Sequence, residues 1–469
     1  MELLVAVGAL CFLMFVAYRG FSVILFAPVA AMGAVLLTDP AAVPAAFTGL
    51  FMDKMVGFAK LYFPVFLLGA VFGKVIELSG FSKSIVASVI KVVGASRAML
   101  AIVLVCAVLT YGGVSLFVVV FAAYPFAAEM FRAGNIPKRL IPGTIALGAF
   151  SFTMDSLPFS PQIQNIIPTT YFGTTNGAAP ILGTLGSIFI LILGMTYLEW
   201  RRRSAATANE GYGEGHINEP APVDVTHLPP AAIAFLPLII VFVVNLILGG
   251  FPGVFHGLID RSYGANYDLK LAMDHVIPTP VGAIRAVWAV EGALLAGILT
   301  VFVFAFGKLK ETFADGSKAA VGGALLAAMN TASEYGFGAV IAALPGFLVI
   351  KDALRAIPNP LVNEAVTVTT LAGITGSASG GMSIALAAMS KDFIAAADAA
   401  HIPMEVLHRV ASMASGGMDT LPHNGAVITL LAVTGLTHKV SYRDIFAVTC
   451  IKTLAVFFVI AVYYTTGLV

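Results

Sequence analysis

Apolar residues run along this chain in long blocks, and the polar residues fall mostly between them. Candidate spans, predominantly apolar, lie at 2–18, 21–38, 61–79, 178–200, 231–249, 283–306, 319–348 and 445–468. As α-helices they are about the length needed to cross ~30 Å of hydrocarbon. Four more apolar segments, 98–131, 139–173, 363–390 and 403–437, are interrupted by Gly, Pro, Ser, Thr or Asp. The one long polar stretch, 201–228, is rich in Pro, Gly, Glu and Asn, and predicts a flexible linker. The pattern predicts an all-α polytopic membrane protein.

Lys and Arg near the ends of spans set orientation. Arg201, Arg202 and Arg203 place the linker 201–228 in the cytoplasm. Lys91, Arg97, Arg132, Lys138 and Arg139 then put both ends of 98–131 on that same side, with "TYGGVS" at its middle. Such a segment is a re-entrant hairpin. Lys308, Lys310, Lys318, His438, Lys439 and Arg443 mark further cytoplasmic loops, so the N-terminus, 250–282 and the C-terminus face outward. The opening "MELLVAVGALCFLMF" has no basic stretch before it and reads as a retained first span.

Motifs recur in order along the chain. "GKVIELSGF" at 73–81 is matched by "GAVIAALPGF" at 338–347, and "GGVS" at 112–115 by "GGMS" at 380–383. "NIPKRL" at 135–140 is matched by "HIPMEVL" at 401–407, and "MDSLPFSP" at 154–161 by "MDTLPHNG" at 418–425. The last three offsets stay between 264 (418 − 154) and 268 (380 − 112). We expect an internal duplication, 1–200 and 229–469, joined by 201–228. Each repeat would hold one hairpin (98–131 or 363–390) and one broken helix (139–173 or 403–437), with about ten spans in all. The charge pattern gives matching spans opposite directions. Inverted repeats with helices broken at the midplane are the architecture of secondary transporters.

Composition narrows the class. The 469 residues are 59% hydrophobic and 11% charged, with mean hydropathy +0.95, whereas soluble domains carry about 25% charged residues. A net charge of +1 gives no basis for a nucleic-acid partner. Cys11, Cys106 and Cys450 lie in apolar runs, with neither metal-ligand nor disulfide spacing, so we expect no metal and no cofactor.

The breaks carry the candidate chemistry. A broken helix offers N–H groups at one half-helix start, suited to a carboxylate, and C=O groups at the other half-helix end, suited to a cation. Asp155 and Asp419 hold matching places beside the breaks. They are candidates for coupling a cation or proton, with helix capping as the alternative. His423 and Asn424 replace Phe159 and Ser160 of the first copy, where a substrate needs asymmetric contacts. Ser115, Ser377, Ser379 and Ser383 lie among glycines at the hairpin tips; they suit binding of a carboxylate or hydroxyl, or else close helix packing. Asn330, Ser333 and Glu334 form a polar cluster in one repeat only, with Glu334 a further coupling candidate. No Lys or Arg is expected at the depth of these motifs, which favours a small hydroxy-monocarboxylate over a tricarboxylate, and acidic groups near an anion favour H⁺ over Na⁺.

At the level of motifs, the chain resembles the gluconate permease family of the ion transporter superfamily, near its citrate-transporter-like members. The resemblance rests on "TYGGVSLFVVVFAAYPFAAEMFRAGNIP", "MDSLPFSPQIQNIIPTTYFGTT", "GSASGGMS" and "SGGMDTLPHNGAVITLLAVTGLTHK". It implies a homodimer in the bacterial inner membrane, taking up sugar acids with H⁺ by an elevator-like motion. "SLPFSP" departs from the proline-histidine-proline run of gluconate permeases, and "LPHNGAVI" resembles members linked with D-3-hydroxybutyrate. The competing reading within transport is Na⁺-coupled uptake of di- or tricarboxylates. Outside it stand a channel and an intramembrane hydrolase using Ser160 and His423. The duplication, and the lack of any other sign of an activated nucleophile, argue against an enzyme.

Overall fold

The computed structural model describes all residues except 1, 20, 95–96, 221–225, 252–253, 270–276 and 423. Val, Ile, Leu, Phe and Ala blocks with few breakers leave the backbone no partner but itself in an apolar surround, so they become helices. The chain opens with α1 (Glu2–Tyr18) and α2 (Val23–Thr38). The turn α3 (Val43–Ala45) then runs through a π-helical stretch into α4 (Met52–Leu78), followed by α5 (Phe81–Val93). Next come α6 (Ala98–Tyr111) and α7 (Leu116–Ala133), then the broken helix as α8 (Ile141–Ala149), α9 (Phe152–Asp155) and α10 (Ile163–Phe172), and the long α11 (Pro180–Thr207).

The second half follows. After α12 (Ala231–Gly249) and the short α13 (Leu258–Tyr263) comes α14 (Val281–Ala343), bent at Ala305, where φ is −129° and ψ 19°. Then follow α15 (Pro345–Arg355), α16 (Pro360–Thr375), α17 (Ala378–Ala399), α18 (Met404–Gly416), a 3₁₀ turn (Gly417–Thr420), α19 (Gly425–Thr434) and α20 (His438–Thr466). The only strands among the described residues form two small antiparallel hairpins, β1–β2 (Gly250–Phe251, Phe255–His256) and β3–β4 (Tyr267–Leu269, Ile277–Thr279). Five described helices are long and apolar enough to cross a membrane: Pro40–Leu78, Pro180–Thr207, Ala231–Gly249, Val281–Ala343 and His438–Thr466.

Left-handed turns lie in both halves. The hairpin tips turn on left-handed glycines, Gly113 (φ 94°) and Gly376 (φ 69°). Asn135 (φ 50°) and His401 (φ 55°), both non-glycine, turn the chain from hairpin to broken helix. Gly173 (φ 65°) and Gly435 (φ 67°) end α10 and α19. Packing between the halves is reciprocal: α10 lies on α17 and α18, while α19 lies on α7 and α8; α12 packs on α5, and α1 on α15. A second group, α1, α2, α4, α12 and α14, packs largely on itself.

Two expectations are corrected. The charged stretch 307–318 is not a loop; it continues α14 as helix beyond the bend, because Lys, Glu and Ala favour helix once the neighbouring turns are formed. The linker is not free over 208–219. Arg139 holds Glu210 through Nε (2.6 Å) and Nη2 (2.7 Å), and Lys138 Nζ meets Glu219 Oε1 (2.8 Å) and the Ile217 carbonyl (2.9 Å). Tyr124 Oη donates to the Asn218 carbonyl (2.7 Å), and Asn218 Nδ2 to the Ala432 carbonyl of α19 (2.9 Å). The segment is thereby strapped across both halves.

Candidate functional site

The two breaks and the two hairpin tips meet through side-chain bonds. In the first half, Gln162 Nε2 reaches from the break to the tip carbonyls of Thr110 (2.8 Å) and Val114 (3.4 Å). In the second, Asn424 Nδ2 reaches the tip carbonyl of Gly376 (2.8 Å) while its Oδ1 caps α19 at Ala426 N (2.7 Å). Pro158, Pro161 and Pro422 cannot donate to a helical ladder, so the chain breaks there and leaves Gln162 and Asn424 as the caps of α10 and α19, outside the helix and able to reach the tips.

Asp419 lies at the centre of the second site. Its Oδ1 accepts from the Ala378 amide (3.0 Å), one residue into α17, and from Asn424 Nδ2 (3.2 Å). Its Oδ2 accepts from Gln164 Nε2 of the first half (2.9 Å). All three donors are neutral. Glu334 of α14 is buried close by, with Oε2 lacking a hydrogen bond among the described residues and pressed against Gly380, where a Cβ would collide with it. Ser377 Oγ accepts from Gly380 N (3.1 Å), and Ser379 Oγ lies 3.4 Å from Thr331 Oγ1. Asp419, Asn424, Glu334, Ser377 and Ser379 therefore form one cluster at the second tip.

Asp155 has different company. Its Oδ2 meets Lys452 Nζ of α20 at 2.7 Å, an ion pair off the line of a directed hydrogen bond, and its Oδ1 accepts from Ser156 Oγ (2.7 Å). Both charged groups are 1% exposed. The expectation that no cation lies at this depth is therefore wrong. Besides Lys452 there is Arg409 of α18, fully buried, donating to the carbonyls of Ala178 (2.7 Å from Nη2) and Asp155 (2.8 Å from Nη1) and to Asn165 Oδ1 (3.0 Å). Arg409 holds the break closed, and its donors face protein oxygens.

Other candidates fall elsewhere. Ser115 sits at the start of α7 with no side-chain cap bond, which leaves its hydroxyl available at the first tip. Ser160 donates to the Thr153 carbonyl (2.7 Å) and Ser383 to the Ser379 carbonyl (2.6 Å), so both are bonded into backbone. Ser333 turns toward Met55 Sδ of α4 (3.9 Å), and Asn330 is half-buried on α14. His423 lies outside the described residues.

Three groups were missed: Arg409, Lys452, and Glu364 of α16, which is buried with neither carboxyl oxygen bonded among the described residues. The signal was present for all three. A lone Lys in "VTCIKTLAVFFV", a lone Arg in "VLHRVASMASG" and a lone Glu in "PLVNEAVTV" are intramembrane ionisable residues, which mark function or pairing by default.

Comparison with known proteins bears on the class. No family model matches the chain. In its structure it is similar to the YdaH transporter of Alcanivorax borkumensis, described as having an unusual topology: TM-score 0.55, 14% identity, 92% of this chain and 90% of that one covered. At that identity the likeness concerns the fold. In sequence it is 56% identical over 483 positions to the uncharacterized transporter YxjC of Bacillus subtilis (strain 168), covering 100% of both. With its apolar helices, the chain is an all-α polytopic membrane transporter and not an enzyme. It belongs to the transporter family that includes YxjC.

Proposed function

We propose that the protein is a secondary active symporter that imports a small hydroxy-monocarboxylate of the 3-hydroxybutyrate or gluconate class together with H⁺. The observation that carries this reading is the joining of each break to its own hairpin tip, with the Asp419 cluster reaching across to Gln164 of the other half. A substrate carboxylate suits the start of α7 beside Ser115 and the start of α17 beside Ser377 and Ser379, where half-helix dipoles favour an anion. Its hydroxyl suits the serines and Asn424, with His423 a further candidate. The buried cations do not change the substrate class, because Arg409 and Lys452 face carbonyls and Asp155. One carboxylate matches two helix dipoles; three would not. The proton is assigned to Asp419, whose donors are neutral, and to Glu334, whose Oε2 is buried without a hydrogen bond among the described residues.

The remaining features follow from the same reading. The halves form an inverted pair in the inner membrane, with 201–228 cytoplasmic, as in the gluconate permease family that the motifs resemble. The helices α1, α2, α4, α12 and α14 serve as scaffold in a homodimer, and the hairpins and broken helices move as a unit. In proteoliposomes, an inward H⁺ gradient should drive uptake of labelled 3-hydroxybutyrate and acidify the lumen, with gluconate competing and citrate not. Na⁺-driven citrate uptake without proton flux would refute the proposal.

A further inference from the structure

The ammonium of Lys452 occupies an unusual point. One N–H goes to the carbonyl of Phe150 at 3.0 Å, and another to the carbonyl of Gly416. Phe150 is the C-cap of α8, and Gly416 is the last residue of α18. These are the matching half-helices of the two breaks, and each ends here with carbonyls that its own helix cannot satisfy. Each end carries about half a negative charge. The Asp155 carboxylate closes the site at 2.7 Å. Two helix C-termini and a carboxylate converging in a buried space are what a transporter presents to a coupling cation. Here a cation is already present, and it is covalently part of α20.

An ammonium has donors and no acceptor, which suits a site of two carbonyls and a carboxylate. Among the described residues the other half shows no equivalent. In α11, the helix matching α20, the first charged residue after Pro180 is Glu199, nineteen positions on and beside the arginines that begin the linker. Around Asp419 the donors are neutral. The charged groups near the Lys452–Asp155 pair are Arg409 from α18 and Asp419 from the 3₁₀ turn.

We propose that Lys452 is a tethered counter-cation that permanently fills the cation site formed by the ends of α8 and α18 with Asp155. Asp155 is therefore a structural anion, Na⁺ is excluded from this site, and coupling is confined to the Asp419–Glu334 side. The inference rests on reading the breaks as a transport site, but its test needs no substrate. The full-length protein is purified in detergent, and its thermal unfolding is compared in NaCl and in choline chloride at equal ionic strength. The wild type should show no preference. Lys452→Ala, which leaves two carbonyls and a carboxylate around an empty place, should unfold at a temperature at least about 2 °C higher in NaCl. Adding Asp155→Asn to it should abolish the difference. Because the alanine variant could fail to fold, Lys452→Gln, which keeps amide donors to the carbonyls without the charge, serves as a second probe and should show the same Na⁺ preference. Folding of either variant in NaCl but not in choline also supports the proposal. It is overturned if the wild type is stabilised by Na⁺ through Asp155, or if Lys452→Gln behaves identically in both salts, folded or not. A protein that moves none of the tested acids yet gains the Na⁺ response would refute the substrate reading and leave this one standing.

Discussion

At the scale of single residues, the two aspartates beside the breaks have unlike partners, so their substitution should have unlike effects. Asp155→Asn leaves the Lys452 ammonium buried without its anion, and breaking a buried pair costs about 3–5 kcal/mol. Asp419→Asn disturbs only hydrogen bonds from neutral donors, which costs about 1–3 kcal/mol. Thermal unfolding should therefore fall further for Asp155→Asn, while proton-coupled uptake should be lost in Asp419→Asn even where the protein stays folded. A well-folded Asp155→Asn variant as stable as the wild type would contradict this division. Gly416 belongs to the same contact, since a Cβ there would run into Asp155 Oδ2 and Lys452 Nζ. Gly416→Ala should destabilise by about 1–3 kcal/mol of overpacking. Combined with Asp155→Asn it should do less than the sum of the two, because they disturb one contact.

At the scale of elements, the hairpin tips depend on backbone that only glycine adopts freely. Gly113→Ala and Gly376→Ala force a Cβ into left-handed φ, costing about 1–2 kcal/mol each. Gly425→Ala, in open space in the first turn of α19, should be neutral or stabilising by roughly 0.5–1 kcal/mol. Chemical denaturation of the three variants checks the contrast.

These breaks were legible in the sequence because Pro and Gly act locally: the octets at 154–161 and 418–425 mark the interrupted helices where they fall. The strap was not legible. Its composition reads as disordered, and the bonds that fix it come from Tyr124, Lys138, Arg139 and Ala432, all distant in sequence. Arg409 was missed for a related reason, since its role appears only when Ala178 and Asp155 are brought beside it. The strap also has a pH signature. The bond from the Arg139 guanidinium holds Glu210 below its ordinary carboxyl range, whose reference value is 4.5. A depressed folded value means that this docking is fully present above the ordinary range and is lost as pH falls through the lower folded value. Amide exchange over 211–219, corrected for intrinsic rate, should be constant from pH 8 to about 5 and rise only in stronger acid. Loosening near neutral pH would show that Glu210 does not hold the strap.

At the scale of the molecule, an inverted pair would put the strap and the small β-hairpins on opposite sides of the membrane. With Cys11, Cys106 and Cys450 replaced by Ser, Glu214→Cys in the strap and Ala265→Cys between the small β-hairpins are both at exposed positions. An impermeant maleimide applied to intact cells should label position 265 and reach 214 only after permeabilisation. Labelling of both from outside would defeat the assigned orientation.

The exchange of broken helices between the halves also has a consequence in time. The helix α10 finds its bed on α17 and α18, and α19 finds its own on α7 and α8. A ribosome adding about 5–20 residues per second needs roughly 12–50 s to make 229–469 after the first half has emerged. Until α17 and α18 have been made, α10, with the polar Gln164 and Asn165, has only α9 and Tyr62 of α4 against it and lacks its main bed. The first half is thus committed to waiting, partly assembled, and the protein's yield in cells depends on what shelters one helix during synthesis as well as on the stability of the finished fold.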